Sequence, residues 1–523
     1  MLGHWDWLVV AVYGALLVIV GVSTARRHPR AEDYFLASRG SHWSAIGLAL
    51  LASNASSTAL IGLAGAAYAT GISVYNYEWS ATVILILFCL FLLPFVLRSR
   101  VYTMPEFLER RYDARARLYF ALLSLFLSVL VDSAGALYSG SLVCRMLLPD
   151  VPLGLIAAAL AGAAALYTIV GGLRAVIYTE TIQGGVLICG AAAVAFAAFH
   201  HAGGWHTVMT RVDPAALSLI RPRNDPAVPW PGLLLGIPVL GFYYWCTNQF
   251  IVQRVLSARS VDDGRRGVLF AGLLKLPVLF LMVLPGTCAI LLLPHLPRAD
   301  LVYPALIFSV LPAGLIGLVV ASFMAATMAC VASTLNSAST IMTMDIIGRF
   351  LPALSETRVV MIGRLTAAGF LLLAVVWATQ LEHFGSLWQY LQAVLAYAVP
   401  PVVAMFGVGL FWRGANPAGA FATAVFGSAC GLALFLCNAV FHVTHIHFLY
   451  AAPLLLAIDV AILVFASLWS GAVSGARIDS LMFTVAAFRD DSRRLNGVPL
   501  WRNYRVQAGL LLALTAFIVI LFR

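Results

Sequence analysis

Lysine is almost missing from this sequence. Among 523 residues only Lys275 carries an ammonium side chain, and the other 31 basic residues are arginine. Charged residues of both signs together make up 10% of the chain, whereas soluble domains contain roughly 25%. Hydrophobic residues make up 62%. This composition excludes an ordinary soluble domain and indicates a protein that crosses a membrane many times.

Patterns that mark other classes of protein are also lacking. The eight cysteines lie in or beside apolar runs and form no C-x-x-C pair, so they predict neither a zinc site nor a redox motif. There is no glycine-rich phosphate loop and no nucleophile with a neighbouring base. His442, His445 and His447 fall in a connection without nearby carboxylates, which favours a plain loop over a metal site. We expect neither an enzyme nor a bound cofactor.

Apolar runs of about 20 residues recur along the whole chain, and each can cross a bilayer as a helix. They predict an all-α membrane protein in which residues 1–523 form a single transmembrane domain surrounded by lipid. No polar stretch is long enough for a sizeable aqueous domain. The fourteen predicted spans, with boundaries loose by several residues, are 5–25, 44–72, 75–97, 118–144, 151–170, 176–199, 230–253, 267–293, 307–344, 361–380, 386–412, 416–440, 447–470 and 505–522.

The net charge of +10 could indicate a nucleic-acid partner, but the distribution of arginine argues against one. When the connections are assigned alternately to the two sides, one set holds 25 of the 31 arginines. The other set, with the C-terminus, holds Arg145, Arg211, Arg221, Arg223, Arg298 and Arg523. This is the positive-inside bias, so we expect the arginine-rich side to be cytoplasmic and both termini to lie outside. A bacterial inner membrane and a plasma membrane both fit.

Two of the predicted spans look broken. In one, short polar side chains from Ser53 to Thr58 occupy the centre, where they compete with helical hydrogen bonds. In the other, Gly236, Pro238 and Gly241 interrupt the middle. With the first span of the chain set aside, these are spans one and six of a set of ten. Broken helices at matching places in two halves are typical of inverted-repeat transporters, which bind solute at the breaks. Ordinary helix kinks are the alternative.

Lys275 lies inside the apolar run GVLFAGLLKLPVLFLMVLP, about ten residues beyond Arg265 and Arg266, which mark the membrane surface. At the helical rise this places the ammonium ~14 Å deep, near the middle of a hydrocarbon core roughly 30 Å thick. An unpaired cation there costs at least ~2.5–3.5 kcal/mol, so Lys275 must face a polar cavity with a partner. Glu78 is the natural partner, and Gln392 adds an uncharged donor and acceptor. A purely structural ion pair is the alternative.

A carboxylate, an ammonium and an amide around one cavity supply donors and acceptors together. This set suits a neutral solute with many hydroxyl groups, because each hydroxyl both donates and accepts a hydrogen bond. An anion would need net positive charge, which Glu78 cancels. Tyr77, Tyr244, Trp245 and Trp388 lie beside the broken spans and offer flat faces to the C–H surfaces of a sugar. Core packing or an interfacial belt is the alternative for these aromatic residues.

Three further acids fall within predicted spans. Asp132 lies at the centre of its span, where contact with the solute and pairing between helices are both open interpretations. Glu180 lies near the cytoplasmic end of its span, six residues from Arg174, and is a candidate for the path of an ion. Asp459 lies midway along a span outside the set of ten and is interpreted as structural.

Long motifs follow one another along nearly the whole chain: EDYFLASRG, ASNASSTALIGLAGAAYATG, YNYEW, VYTMPEFLERRY, YTIVGGLRAVIYTETIQ, YYWCTNQFIVQRVLSARS, TLNSASTIMTMDI, GRL, QYLQ and GLFWR. In these motifs the sequence resembles the solute:sodium symporter family, and within it the sodium/glucose and sodium/galactose cotransporters. The resemblance implies a five-plus-five inverted-repeat (LeuT-like) fold with one extra helix before and three after. On this sequence the first repeat falls at 44–199, the second at 230–412 and the peripheral helices at 416–522.

The resemblance also implies roles for single residues. It places sugar contacts at Asn54, Tyr77, Glu78, Lys275 and Gln392, with Tyr244 as the inner gate and Trp245 beside it. We add Trp388 to the gate and Asp132 to the binding site.

Four positions depart from the sugar carriers of the family. Asp132 stands where the bacterial galactose carrier has asparagine, and Gly241 and Ala81 replace an asparagine and a serine that contact sugar there. Ala59 follows the break where some relatives have a polar side chain. We therefore expect fewer hydroxyl partners for the solute.

The sodium site departs further. The resemblance implies that sodium is held by main-chain oxygens near Ala52 and Ala55 and by the helix at 307–344, here at Ala326, Ala329 and Cys330. The last two stand where the family has adjacent serine hydroxyls. Sodium is a hard cation that prefers oxygen ligands, so alanine and a thiol weaken the site.

Glu180 replaces the aspartate of the family on the ion path, with a longer side chain. We predict a secondary active transporter, with sodium-coupled symport of a neutral sugar or polyol by alternating access as the first interpretation. A carrier that is independent of sodium, or coupled to protons through Glu180 or Asp132, is the second. A transceptor that senses solute is the third. We make no prediction of oligomeric state.

Overall fold

The computed structural model describes residues 3–24, 39–350, 355–384, 386–471 and 480–523. These residues are almost entirely helical, and the described ranges contain isolated β-bridges but no strand. The helices are α1 His4–Thr24, α2 Trp43–Asn54, α3 Ser57–Thr70, α4 Ile72–Ser99, α5 Met104–Arg111, α6 Ala114–Leu147, α7 Leu153–His201, α8 Gly204–Arg211, α9 Trp230–Phe242, α10 Gln249–Leu256, α11 Val261–Lys275, α12 Leu279–Leu292, α13 Val302–Val310, α14 Leu315–Ile347, α15 Glu356–Gln380, α16 Leu387–Ala398, α17 Pro400–Phe411, α18 Pro417–Asn438, α19 Phe448–Ser470, α20 Val485–Arg494 and α21 Tyr504–Leu521.

Many of these helices match the thickness of a bilayer. Among the described residues, eight helices are long and apolar enough to cross a membrane alone, and three bent pairs can each serve as one span. The bends are 57° between α2 and α3, 42° between α11 and α12, and 53° between α16 and α17. The all-α membrane architecture is therefore confirmed, while the total of fourteen spans stays a prediction.

The break between α2 and α3 lies where the run of short polar residues predicts it. Ala55 has φ −72° and ψ 58°, and the Ser56 amide donates to the Asn54 carbonyl at 2.7 Å, which is an inverse γ-turn. The Ser56 hydroxyl then accepts from the Ala59 amide at 3.3 Å and begins α3. The local hydrogen bonds of these side chains and turns replace helical ones at the centre of the span.

The second broken span also exists, but the predicted position of its break is wrong. α9 passes through Gly236, Pro238 and Gly241 without interruption and continues as a π-turn to Thr247. The chain breaks at Asn248, which is extended with ψ 120° and whose side chain accepts from the Phe250 amide at 3.0 Å. Membrane helices tolerate glycine and proline because neighbouring helices compensate for the lost hydrogen bond. These residues therefore indicate the position of a helix break less reliably than an N-cap residue does.

Two bends occur in spans that the sequence presents as continuous. α11 ends at Lys275, and Pro277 lies in the short connection before α12. α16 ends at Ala398, and Pro400 and Pro401 form the first turn of α17. Proline is favoured at the start of a helix and removes a hydrogen bond from the interior of one, which favours a bend at both places.

Two predicted boundaries are also wrong. The expected connection at 171–176 is helical, because α7 runs through 49 residues without a break. The predicted span 307–344 is two helices: α13 ends at Val310, and α14 begins at Leu315 after Gly314, which has φ +91°. A positive φ favours glycine, so Gly314 ends the connection where a side chain would be strained.

α14 lies at the centre of the helical bundle. It packs against α2, α6, α7 and α15, and most of its side chains are buried. Its neighbours approach closely because they present glycine: Thr327 packs on Gly140 of α6 and Ser322 on Gly190 of α7, which leaves no room for a Cβ at either glycine. Small residues at helix contacts are typical of membrane bundles, where close packing replaces the hydrophobic effect.

On the arginine-rich side, α20 is fastened to the bundle by Asp491. Its carboxylate pairs with Arg265 of α11 at 3.1 Å and with Arg505 of α21 at 3.4 Å, and the Tyr504 hydroxyl donates to it. Burial raises the pKa of Asp491, but the Tyr504 hydrogen bond and the two guanidinium groups outweigh burial and hold this pKa below its usual value. The charged carboxylate is therefore the form that holds α20 in place.

Candidate functional site

The lone lysine forms a buried ion pair with its predicted partner. Lys275 Nζ lies 2.6 Å from Glu78 Oε2, and the two side chains are 1% and 7% exposed. Nζ also donates to Asn54 Oδ1 and lies 4.5 Å from the centroid of the Trp245 ring, which is a cation–π contact. One cation thus joins α11 to α4, to the first break and to the end of α9.

Helix ends explain why these charges are tolerated at membrane depth. Lys275 occupies the last turn of α11, and Glu78 lies in the first turn of the α-helical segment Asn76–Leu87, which follows a 3₁₀ turn in α4. The C-terminal end of a helix favours a cation and the N-terminal end an anion. The bend after α11 therefore creates a favourable position for the ammonium that a continuous helix would lack.

A cavity of about 120 Å³ lies beside this pair. A water molecule occupies roughly 30 Å³ in the liquid, so the cavity has room for a small solute. Its polar and aromatic lining is formed by Asn54, Ser56, Thr58, Tyr77, Glu78, Asp132, Tyr244, Trp245, Cys330, Trp388 and Gln392. Lys275 is not part of this wall, although its ammonium contacts three residues that are, Glu78, Asn54 and Trp245. The structure thus gathers the predicted binding and gate residues around one space, with the lysine behind them.

Two aromatic pairs contribute to the wall. Tyr77 and Trp388 meet edge to face with ring centroids 5.4 Å apart, and Tyr244 and Trp245 do so at 5.2 Å. Edge-to-face packing fixes each ring and leaves its face available for C–H groups. Tyr244 Oη accepts a 3.4 Å hydrogen bond from Asn54 Nδ2, which links the second pair to the first break. The gate role of these residues stays a prediction.

Asn248 is a site residue that the sequence interpretation missed. Its side chain caps α10 and lies near the carboxylate of Asp132, which is half-buried in the cavity wall. Asp132 thereby lies beside the second break, and Lys275 is tied to the first through Asn54. An asparagine directly before the amphipathic stretch QFIVQRVL is an N-cap signal and could have located this residue.

The predicted sodium residues lie where α2 ends and packs against α14. Ala52 lies in the last turn of α2 and Ala55 is the C-cap that follows it, at the end where main-chain carbonyls form the negative pole of the helix. On α14, the Ser333 and Thr334 hydroxyls donate to the carbonyls of Ala329 and Cys330 at 2.8 Å. Cys330 also lines the solute cavity. Positions 329 and 330 therefore supply no side-chain oxygen to a hard cation, and their carbonyls already accept hydrogen bonds.

The two remaining predicted acids are Glu180 and Asp459, and Asp459 lies outside the described cavity wall. The side chain of Glu180 is outside the described side chains. One turn further along α7, Gln183 is 1% exposed and Gly184 packs against Ala52, so this part of the helix approaches the end of α2. Asp459 is fully buried between α18 and α19 against Gly427, and within the described part of the chain its carboxylate has no hydrogen-bond partner.

A membrane bundle in which two broken helices meet beside one polar cavity has the architecture of an inverted-repeat transporter. The structure is similar to the substrate-bound outward-open state of a Na⁺-coupled sialic acid symporter, with a TM-score of 0.78 and 20% identity, over 90% of this chain and 99% of that one. The fold is therefore LeuT-like, as expected. The chain belongs to the sodium:solute symporter family, whose model matches residues 34–427.

Curated relatives agree with this assignment over most of their length. Sodium/glucose cotransporter 4 of Danio rerio is 33% identical over 515 residues, which cover 88% of this chain and 78% of the relative. Sodium/myo-inositol cotransporter 2 of Oryctolagus cuniculus is 32% identical over 507 residues, covering 87% and 75%. The protein is a multi-pass membrane transporter and not an enzyme, which confirms both predictions.

Proposed function

We propose that this protein carries a neutral sugar or polyol across the membrane together with sodium. The observation that carries the proposal is the Lys275–Glu78–Asn54 cluster beside the cavity, because its charges cancel and its carboxylate and amide face the space. The relatives named for glucose and myo-inositol support the same class of solute.

The cluster suits hydroxyl groups because each partner already has a fixed role. With Lys275 bound to one carboxylate oxygen and to Asn54 Oδ1, Glu78 keeps acceptor capacity and Asn54 Nδ2 remains a donor toward the cavity. Gln392 adds one further donor and acceptor. A solute hydroxyl that bridges such groups replaces its lost hydration, whereas a solute without hydroxyls leaves them unpaired.

We assign solute contacts to Asn54, Tyr77, Glu78, Asp132 and Gln392, and to Lys275 either directly or through its two partners. Tyr244, Trp245 and Trp388 control access to the cavity. Alternating access follows when one set of half-helices tilts about the breaks at Ala55 and Asn248, since both residues leave the helical conformation and no helix continues through either of them.

We assign the coupling ion to the end of α2. Carbonyl oxygens near Ala52 and Ala55 would contact the ion at the C-terminal, negative end of α2. Ala326 would add a carbonyl from α14. The loss of two hydroxyls at Ala329 and Cys330 lowers the affinity for sodium and favours a second candidate, a sugar carrier that runs without it. The same proposal places Glu180 on the path of the ion. It also places the arginine-rich side of the protein in the cytoplasm.

Uptake by proteoliposomes tests the proposal. The purified protein is reconstituted, and initial rates are measured for labelled glucose, galactose, mannose and myo-inositol with sodium or choline outside. Symport requires rates that fall severalfold in choline, whereas equal rates in both media establish the carrier without sodium. Absence of uptake and of binding for every solute in the panel would overturn the proposal. The variant Asn54→Ala should lose uptake. The control variant Arg98→Gln, at an exposed position, should keep it.

A further inference from the structure

A second large cavity, which shares no lining residue with the solute cavity, lies on the arginine-rich side of the bundle. It measures about 440 Å³ and opens between α11 and α21, with one residue of α2 at its edge. We call it the α11–α21 groove. Its lining residues are Trp43, Arg266, Leu269, Phe270, Leu273, Trp501, Arg502, Gln507, Leu510, Leu511 and Leu514.

The groove is basic at one end and apolar along its length. Arg266 and Arg502 lie at one end of the groove, and among the described residues no acidic side chain is part of the wall. Leu269 and Leu273 follow Arg266 at successive turns of α11, so the apolar part reaches about 10 Å from the arginines into the membrane. Leu510, also in the wall, is 67% exposed, so the groove is open at the outer surface of the bundle.

The two arginines lack the partners that their neighbours have. Arg265 and Arg505 both pair with Asp491, at 3.1 and 3.4 Å. Within the described ranges, neither Arg266 nor Arg502 forms an ion pair; Arg266 Nη2 makes only a 3.5 Å hydrogen bond to the Arg502 carbonyl. The Arg502 guanidinium lies over the Trp501 ring at 4.4 Å, which holds it at the mouth. Two positive charges are therefore left facing the groove.

We propose that the α11–α21 groove binds one anionic phospholipid. Its phosphate lies between Arg266 and Arg502, where guanidinium groups bind phosphate oxygens in a bidentate manner. One acyl chain lies along the leucines of α11 and α21, with Trp43 and Trp501 at the level of the headgroup, the depth that tryptophan prefers. Basic pockets between membrane helices on the cytoplasmic side are suited to such lipids, and the arginine bias of this chain assigns the groove to that side.

The bound lipid would connect to the solute site through α11. Arg266 lies near the start of this helix and Lys275 at its end. A lipid that fastens α11 to α21 therefore fixes the helix that carries the ammonium. The proposal itself concerns lipid binding and does not depend on the identity of the solute.

Mass spectrometry of the intact protein released from detergent micelles tests the proposal. The protein is incubated with phosphatidylglycerol or phosphatidylcholine of matched chains, and the bound fractions are compared. We expect phosphatidylglycerol to be retained at least fivefold better, and the double variant Arg266→Gln/Arg502→Gln to lose this preference. A matched double variant of exposed arginines outside the groove, Arg98→Gln/Arg489→Gln, should keep it. Leu510→Trp, which fills the groove and leaves both arginines, should lower retention of the lipid.

Several results would overturn the proposal. Equal retention of the two lipids would show that no headgroup is recognised, and unchanged preference in the Arg266/Arg502 double variant would place the lipid elsewhere. Displacement of the lipid by inorganic phosphate alone would show that the arginines serve a soluble anion. A co-purified polypeptide that occupies the groove and excludes lipid would assign it to a partner helix. Monodisperse elution and an unchanged circular dichroism spectrum confirm that each variant is folded.

Discussion

Removing one charge of the Lys275–Glu78 pair should destabilise the protein strongly, and neutralising both should restore much of the loss. The charged atoms are 2.6 Å apart, and at an effective dielectric constant of roughly 20 their attraction is about 6 kcal/mol before desolvation. Since the side chains are 1% and 7% exposed, bulk water cannot surround either charge once its partner is lost. Breaking a buried pair on one side costs ~3–5 kcal/mol, a factor of at least ~100 in the folding equilibrium.

The contacts that each charged group keeps predict which of the two single variants is less stable. Lys275→Met leaves the Glu78 carboxylate without a cation, so its cost should lie near the top of that range. Glu78→Gln is milder because the ammonium keeps Asn54 Oδ1 and the face of Trp245. The double variant leaves no buried charge, and we expect it to be more stable than Lys275→Met by about 2 kcal/mol.

Unfolding in detergent by guanidinium, followed by tryptophan fluorescence, measures these differences for all four proteins. The Arg145–Glu382 pair is a matched control, because its atoms are 2.8 Å apart but its side chains are 43% and 42% exposed. Its coupling should be at most about 1 kcal/mol. If the effects of the two buried substitutions on the free energy of unfolding simply add, Lys275 and Glu78 do not stabilise each other. The role given to this ion pair would then be wrong. Calorimetry should show lost sugar binding in both single variants and in the double variant.

Three further perturbations test other parts of the structure. Ala329→Ser with Cys330→Ser should lower the sodium concentration for half-maximal uptake severalfold, because two oxygen ligands return; an unchanged dependence would place the ion elsewhere. Asp459→Asn should raise the melting temperature or leave it unchanged, since the carboxylate has no described partner to lose; a marked fall would reveal a bound cation or a missed partner. The pKa of Asp491 is depressed in the folded state, so its contribution is present above about pH 4 and is lost as pH falls further. Limited proteolysis at acidic pH should then cut α20 first, and Asp491→Asn should be cut even at neutral pH.

The predictions from the sequence were strongest where a group that is costly to bury could be accommodated in only one way. An ammonium in an apolar run must find a carboxylate, and the sequence interpretation named Glu78 as its natural partner. The run around Asn54 likewise had to interrupt its helix, because several adjacent side chains compete with the backbone.

The failures share a different cause. Gly236, Pro238 and Gly241 are permissive residues, and whether a helix breaks at them depends on packing that the sequence does not display. The position of Lys275 behind the cavity wall depends on the bend after α11, which one proline allowed but did not specify. Asn248 was overlooked because its role needs Asp132, which is far away in the sequence.

The isolation of Lys275 in composition and in space has a practical use. Protein grown with isotope-labelled lysine contains the label at one position, since the chain has one lysine. The magnetic resonance spectrum would therefore show one side-chain ammonium, in contact with Glu78, Asn54 and Trp245. The resonance frequency of this ammonium would shift whenever a bound solute or ion changes the electric field around it. No engineered tag would be needed to observe this shift.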